Sequence, residues 1–160
     1  MAGIQKITPF LWFDTQAEEA AKYYVSIFKN SKILTVSRLP EGAPGVAGKV
    51  TMGKFQLEGQ EYMALNGGPQ FKFTEAISLF VNCETQAEVD ELWSKLTADG
   101  GAESQCGWLK DKFGLSWQII PTALPRLLAD KDPARAQRAM QAMLTMKKID
   151  IAKLEAAARG

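Results

Sequence analysis

The sequence predicts an α+β fold in which two pseudo-symmetric βαβββ modules are followed by carboxyl-terminal helices. The first observation is a repeat, because Thr15-Gln16-Ala17-Glu18 returns as Thr85-Gln86-Ala87-Glu88, 70 positions later. Each copy follows an apolar, strand-like run, and an amphipathic helical pattern follows each copy. The second observation is that each half continues with short β-prone runs and tight turns, which favours antiparallel hairpins over a parallel sheet. A duplicated unit usually shares any cleft between its copies.

The repeated tetrapeptide also has a second interpretation. T-x-x-E is the pattern of a capping box, in which Thr and Glu satisfy free backbone N–H groups at a helix start, so two unrelated helices could converge on it. The acidic residue before each copy, Asp14 or Glu84, favours duplication. Under both interpretations Thr15 and Thr85 are expected to be helix N-caps.

The first half is expected to run strand, helix, then three strands. The strands are predicted at 4–13, 33–38, 49–57 and 62–65, and the helix at 17–29. Pro9 lacks an N–H, so the first strand is expected to be irregular there. Residues 41–45 contain two glycines and a proline and predict a loop, and Glu58-Gly59-Gln60 predicts a hairpin turn.

The second half is expected to repeat this order after a break at 66–69. Strands are predicted at 73–83, 106–110 and 116–121, with a turn at 111–114. Val89, Leu92, Trp93 and Leu96 have helical spacing, and Gly100 and Gly101 are expected to end that helix as left-handed caps. The predicted organisation is a module at 1–66, a module at 67–123 and an extension at 124–160, all within one compact domain.

The extension is expected to be helical. Residues 134–146 are rich in good helix formers, and Asp150 is expected to cap a last helix at 151–158. Met140, Met143, Leu144 and Lys147 form a narrow stripe. The stripe could be an adaptable binding surface, or it could pack on the core or on a second subunit.

Composition excludes several classes of site. The chain has no histidine, so imidazole catalysis and Ser–His or Cys–His pairs are excluded. No apolar run reaches the roughly 20 residues of a membrane span, and no signal peptide is recognisable, so a cytoplasmic protein without membrane contact is expected. There are 11 basic and 14 acidic residues up to Ala123, then 8 basic and 4 acidic from Leu124. No dense basic run follows, so nucleic-acid binding is not expected.

Three segments resemble the vicinal oxygen chelate superfamily, which includes glyoxalases, bleomycin-resistance proteins and dioxygenases. They are Ile7-Thr8-Pro9-Phe10-Leu11-Trp12-Phe13, Met63-Ala64-Leu65-Asn66-Gly67-Gly68-Pro69, and Cys106-Gly107-Trp108-Leu109-Lys110-Asp111-Lys112-Phe113-Gly114-Leu115-Ser116-Trp117-Gln118. The closest branch is the PhnB-like one, often labelled 3-demethylubiquinone-9 3-methyltransferase. The resemblance implies curled mixed sheets around a cleft.

The superfamily's enzymes use a divalent metal, with two ligands from each module. The matching positions here are expected at Thr8, Ala64, Ser78 and Gln118, of which only Gln118 resembles a usual ligand. A neutral set of this kind cannot hold a divalent ion against its hydration. We therefore expect no metal, no other cofactor and no catalytic residue to be identifiable.

The remaining candidate is a ligand-binding cleft. Alternation along the strands selects aromatic, amide, hydroxyl and thiol side chains: Thr8, Phe10, Trp12, Tyr62, Asn66, Ser78, Phe80, Cys106, Trp108 and Gln118. These side chains could instead simply fill the core. Cys106 could be a reactive thiol near Lys110, or a buried and inert one.

These observations favour a metal-free protein that binds a small organic molecule. The alternatives are a metal-dependent lyase, isomerase or dioxygenase of the same superfamily, and the methyltransferase of the branch label. The last is disfavoured because no G-x-G-x-x-G turn joins a strand to a helix. A homodimer is expected, since two open modules leave strand edges and apolar surface to cover.

Overall fold

The computed structural model describes residues 3–38 and 51–160, and these divide into two compact units on either side of the Lys72–Phe73 bond. Each unit contains a four-stranded mixed sheet and a helix in the order βαβββ, and helices follow the second unit's sheet. The predicted α+β class and its two modules are therefore confirmed. The predicted loop at 41–45 and the start of the strand at 49–57 lie outside the described residues.

The first unit consists of β1 (Phe10–Phe13), α1 (Ala17–Ile27), β2 (Lys32–Arg38), β3 (Thr51–Leu57) and β4 (Gln60–Asn66). The strand order is β1-β4-β3-β2, with β1 parallel to β4 and the other pairs antiparallel. The predicted turn is confirmed: Glu58 and Gly59 have φ values of 48° and 85°, as a two-residue hairpin of the mirror-image type requires.

The first strand is shorter than predicted. It begins at Phe10, whereas residues 4–9 are irregular. In place of ladder bonds, the Gln5 side chain donates to the Glu61 carbonyl at 3.0 Å and accepts from the Glu61 N–H at 3.1 Å. The Gln5 amide therefore bonds the backbone groups of Glu61 on β4, next to Pro9, which has no N–H to donate.

The start of α1 differs from the prediction. Gln16, not Thr15, is the N-cap, and its side chain makes no capping bond. The Ala17 N–H instead donates to Asn66 Oδ1 at 2.7 Å, so a buried amide at the end of β4 caps the helix. The helix lies within the predicted range, and its buried residues have helical spacing: Ala17, Ala20, Ala21 and Tyr24.

The second unit's sheet consists of β5 (Ser78–Cys83), β6 (Ala102–Glu103), β7 (Trp108–Lys110) and β8 (Ser116–Pro121), in the order β5-β8-β7-β6. β5 is parallel to β8, and the other pairs are antiparallel. Two predicted strands were too long, since residues 73–77 and 106–107 are not strand. Cys106 and Gly107 have φ values of 57° and 85°, and such left-handed residues make a turn.

The helix α2 (Gln86–Thr97) covers one face of this sheet and buries the four residues that its spacing selected. Thr85 is its N-cap, as predicted, because its side chain accepts from the Glu88 N–H at 3.1 Å. The predicted end was wrong in one respect. A 3₁₀ turn follows at Ala98–Gly100, and the left-handed residues are Asp99 and Gly100, while Gly101 has a φ of −66°.

The extension forms α3 (Ala123–Leu128), α4 (Pro133–Leu144) and α5 (Ile151–Arg159). Asp150 caps α5 as predicted, accepting from the Lys153 N–H at 3.0 Å. These helices share one core with the end of β8, which consists of Ile120, Leu124, Leu127, Ala139, Met146, Ile149, Leu154 and Ala158. The extension therefore belongs to the second unit.

The division between the units falls after Lys72, and residues beyond β4 remain attached to the first unit. Gly67 and Gly68 donate to the carbonyls of Phe13 and Asp14. Over the described residues, no helix has the length and apolar character that crossing a bilayer requires.

Candidate functional site

The two faces of each sheet differ in what covers them. One face packs against α1 or α2, and we call the opposite one the distal face. Because side chains alternate along a strand and paired residues point the same way, the pairing register assigns each residue to a face. The distal faces hold most of the candidate site residues.

The distal face of the first sheet is apolar at its β1 edge. Phe10 pairs with Met63 and Trp12 with Leu65. Phe10 is 46% exposed, whereas Trp12 is half-buried and its indole N–H donates to the Gly68 carbonyl at 3.0 Å. The ring of Phe71 meets Trp12 edge-on at 5.0 Å between centroids. The segment after β4 thus fixes Trp12. Thr8 precedes β1, and its hydroxyl accepts from Gln5 Nε2 at 3.4 Å.

Two predicted site residues lie on the face opposite to Phe10 and Trp12. Tyr62 and Asn66 lie on the α1 side, with Leu11 and Phe13, so they do not share a surface with Phe10 and Trp12. Tyr62 stacks on Phe55 inside the core, and its burial raises the pKa of its hydroxyl. The alternation was assigned one residue out of phase, which moves every side chain of a strand to the other face.

The distal face of the second sheet brings four predicted residues together. Gln118 lies on β8 between Phe80 on β5 and Trp108 on β7, which are its register partners. Gln118 Nε2 donates to the Ser78 hydroxyl oxygen at 2.9 Å. Phe80 is 52% exposed, whereas Trp108 and Gln118 are half-buried. Aromatic side chains around an oriented amide and hydroxyl are the usual lining of small-molecule sites.

A second row crosses the same face one step along the strands. Ser116 pairs with Ser78 on one side and with Lys110 on the other. The Ser116 hydroxyl is buried and has no hydrogen-bond partner among the described residues. The Lys110 ammonium forms an ion pair with Glu75 in the segment before β5. A hydrogen bond from Lys110 holds the pKa of the Glu75 carboxyl below its usual value.

The metal site that the superfamily implies is not supported by these residues. In the repeat, Phe10 corresponds to Phe80, so their partners Met63 and Gln118 correspond, and Met63 takes the place assigned to Ala64. Thioether, amide and hydroxyl groups carry no charge to offset the dehydration of a divalent ion. Within residues 3–38 and 51–160, no group of three His, Cys, Asp or Glu side chains could hold a metal.

The pairing register assigns neither cysteine to a distal face, since Cys83 lies on the α2 side and Cys106 is outside the strands. Cys106 precedes β7 in the left-handed turn, is half-buried, and donates its backbone N–H to the Met146 carbonyl at 2.8 Å. Cys83 is fully buried, and burial together with the Glu88 carboxylate raises the pKa of its thiol to about 12. The Cys83 thiol therefore stays protonated near neutral pH and is unreactive.

Sequence reasoning missed Glu75 and Met63 and did not assign Lys110 to the site. Alternation along β7 places Lys110 on the same face as Trp108, so that signal was present in the sequence. Glu75 had no such signal, because it lies in an irregular segment within an expected strand. The predicted cleft shared by the two modules stays a prediction.

Comparison with known proteins identifies one matching family model. Residues 5–120 match the model described as 3-demethylubiquinone-9 3-methyltransferase. No curated protein matches the sequence.

A solved structure supports this family match, and more distant ones share the fold. The PhnB protein from Bacillus cereus, described as a 3-demethylubiquinone-9 3-methyltransferase, is 42% identical over 74% of this chain and 100% of its own, with a TM-score of 0.67. A protein from Pseudomonas aeruginosa is 21% identical over 72% of this chain and 96% of its own, with a TM-score of 0.56. The fosfomycin resistance protein FosX from Listeria monocytogenes is 15% identical over 80% and 100%, with a TM-score of 0.56, and shows the shared fold alone.

Proposed function

Because the chain belongs to the 3-demethylubiquinone-9 3-methyltransferase family and has the fold of the vicinal oxygen chelate superfamily, we propose that it binds a small organic molecule without a metal ion. One observation carries this proposal. On the distal face of the second sheet, Gln118 is oriented by Ser78 and flanked by Phe80 and Trp108. Exposed aromatic surface beside a fixed polar group favours ligand binding over core filling, because a core would bury both.

The absence of charged side chains at the expected ligand positions supports binding without a metal ion. The alternative, a metal-dependent lyase, isomerase or dioxygenase, needs anionic or imidazole ligands. The corresponding positions Met63 and Gln118 supply neither. Gln118 directs its amide nitrogen at Ser78, so the atom that it could offer to a metal ion is one neutral oxygen.

The family description names a methyltransferase, and this chemistry needs a methyl donor such as S-adenosylmethionine. Nucleotide-like cofactors usually bind at a glycine-rich turn between a strand and a helix. Among the described residues, those connections are Asp14-Thr15-Gln16 after β1, Glu84-Thr85 after β5 and Thr122 after β8, and none of them contains glycine. These connections do not fit the cofactor.

The test combines native mass spectrometry with elemental analysis of protein purified with and without chelator. We expect a co-purified organic molecule that survives dialysis against EDTA, with far less than one metal ion per chain. Gln118→Met should abolish retention of that molecule, because Met occupies the corresponding position in the first unit. The control is Gln137→Met, at an exposed position of α4, which should retain it.

Near-stoichiometric metal, together with loss of the ligand on chelation, would overturn the proposal in favour of the metal-dependent alternative. Calorimetry with S-adenosylmethionine tests the methyltransferase directly, and saturable binding at micromolar concentration would favour that function instead.

A further inference from the structure

We propose that Lys110, Ser116 and Ser78 form an oxyanion-binding row that holds the carboxylate of the ligand, so the ligand is an acidic molecule with an apolar or aromatic body. This inference rests on the proposed function and names the class of molecule that its site takes. The row crosses three neighbouring strands on the distal face of the second sheet, β5, β8 and β7. Neighbouring strands are about 4.8 Å apart, so the central Ser116 lies about one strand spacing from Ser78 on one side and from Lys110 on the other.

The Ser116 hydroxyl at the centre of the row lacks a hydrogen-bond partner within residues 3–38 and 51–160. Ser116 is 1% exposed, and its Oγ has no partner in the part of the chain that the structure describes. A buried hydroxyl normally finds a hydrogen-bond partner, since leaving one without a partner costs its desolvation. Its place in the centre of the row, between Ser78 and Lys110, marks where a ligand oxygen would supply the missing bond.

The row presents hydrogen-bond donors. The Ser78 oxygen already accepts from Gln118 Nε2, which leaves the Ser78 O–H as a donor. The Lys110 ammonium has three donors and no acceptor, and the Ser116 hydroxyl can donate as well. A row of donors around one cation is complementary to an anionic oxygen group, because hydrogen bonds to a charged acceptor are the stronger ones.

A carboxylate already lies beside Lys110. The Glu75 carboxylate pairs with the ammonium, and this pair is largely exposed, with side-chain exposures of 41% for Lys110 and 62% for Glu75. Exposed pairs of this kind contribute little and exchange readily with competing ions. A ligand carboxylate that also contacts Ser116 and Ser78 gains bonds that Glu75 does not make, so it can displace Glu75.

Aromatic side chains beside the row would contact the rest of the ligand. One step along the strands from this row, Phe80 and Trp108 flank Gln118 on the same face. An acid held at the row therefore places its body against two aromatic rings and one amide, and aromatic surfaces prefer flat apolar groups.

The experiment uses phenylacetate and phenylacetamide, which have nearly the same shape and differ in charge, titrated against the full chain at pH 7 by ligand-observed NMR. We expect phenylacetate to bind at least tenfold more tightly than phenylacetamide. Ser116→Ala and Lys110→Gln should each remove most of this preference while leaving phenylacetamide unaffected. Glu75→Gln should strengthen phenylacetate binding several-fold, because it removes the competing carboxylate.

Lys95→Gln is the matched control. Lys95 on α2 has a similar side-chain exposure, 44%, and also pairs with a glutamate, Glu91. This variant should bind like the original protein. Glu75→Gln is a gain of binding at an exposed residue, which a folding defect cannot imitate.

Equal affinities for the two probes, no binding of either at millimolar concentration, or unchanged preference in Lys110→Gln would each overturn the oxyanion row. The proposed function fails separately. A co-purified molecule without an acidic group, retained through Gln118, would leave metal-free binding intact and reject the present inference alone.

Discussion

At the scale of single residues, the two copies of the repeated tetrapeptide have different roles. Thr85 caps α2 with its own side chain, whereas α1 receives its cap from Asn66, which lies 49 positions from Ala17. The repeat therefore preserves the sequence around the helix start but not the capping contact. Sequence alone could not reveal that Asn66 caps α1, because this contact depends on where β4 ends relative to α1.

This difference predicts unequal effects of three alanine substitutions on urea-induced unfolding. Thr85→Ala should lower the free energy of unfolding by about 1 kcal/mol, as loss of an N-cap does. Thr15→Ala should change it by less than about 0.5 kcal/mol, as exposed substitutions usually do. Asn66→Ala should cost about 1–3 kcal/mol, because it leaves the buried Ala17 N–H unsatisfied. Equal losses for Thr15→Ala and Thr85→Ala would contradict the contacts described here.

The Cys83 thiol predicts a pH dependence of stability. Its pKa in the folded protein is about 12, above the ordinary value of 9.0, because of burial and the Glu88 carboxylate. The folded state therefore keeps a proton that the unfolded chain releases. This contribution is fully present below pH 9 and is lost progressively as the pH rises from about 9 towards 12.

The measurement is the free energy of unfolding between pH 8 and 11 for Cys83→Ala and for Cys106→Ala as the matched control. Cys83→Ala should flatten the decline with pH, and Cys106→Ala should leave it unchanged. A decline of the same slope in both variants would assign it to other groups.

At the scale of elements, the turn before β7 joins the sheet to the helical extension. Cys106 and Gly107 donate their backbone N–H groups to the carbonyls of Met146 and Lys147. Gly107 has a φ of 85°, and a Cβ there would lie 2.7 Å from Ile120 Cδ1 and 3.2 Å from Ile149 Cγ1. The close approach of these two segments therefore depends on a residue without a side chain.

Gly107 and Gly114 provide a matched comparison. Gly114 has a φ of 87°, but a Cβ there would meet nothing within 4 Å. Gly114→Ala should cost about 1–2 kcal/mol from the left-handed backbone alone. Gly107→Ala should cost about 1–3 kcal/mol more, through overpacking. Thermal and urea unfolding measure the difference. Equal decreases in the free energy of unfolding for the two variants would show that the extension shifts to make room for the added methyl group.

Element types were more predictable than their ends and faces. The helical spacing of Val89, Leu92, Trp93 and Leu96 identified the buried face of α2, because a 3.6-residue period needs no tertiary information. The start of β1 was misplaced, since an apolar run shows no sign that Gln5 replaces a strand bond. Tyr62 was assigned to the wrong face because a period of two has two phases, and only the pairing register distinguishes them.

At the scale of the whole molecule, the repeat is visible in the exposed apolar residues. Ile7 and Phe10 in the first unit correspond to Ile77 and Phe80 in the second, at the offset of the sequence repeat, and all four are exposed. The polar groups do not repeat in this way. Register equivalence sets Met63 against Gln118 and Glu61 against Ser116, so the amide and the hydroxyl of the second unit's face have no counterpart at these two positions of the first unit. The duplication in the sequence therefore predicts the fold. Identifying the residues of the candidate site also requires the pairing register of the strands.

We propose that the protein is a homodimer and that α4 contributes to its interface. Met140 is 48% exposed and Leu144 is 58% exposed, one turn apart on α4, and the half-buried Met143 lies beside them. The adjoining face of α4 is anchored, since Ala139 is fully buried in the core of the extension and Met143 packs against that core. Apolar residues exposed at helical spacing favour association, and a two-fold dimer buries the same patch on both chains.

Sedimentation equilibrium at micromolar concentration should therefore give twice the chain mass of 17.6 kDa. Met140→Glu combined with Leu144→Glu should shift the protein towards the monomer, because two carboxylates on each chain would face each other across the interface. The control is Gln137→Glu combined with Gln141→Glu, which adds the same charge to exposed positions of the same helix. A monomer in the unmodified protein would refute the dimer. A dimer that persists with both apolar residues replaced would remove α4 from the interface and leave the repeated apolar residues of the two units as the surface to be tested.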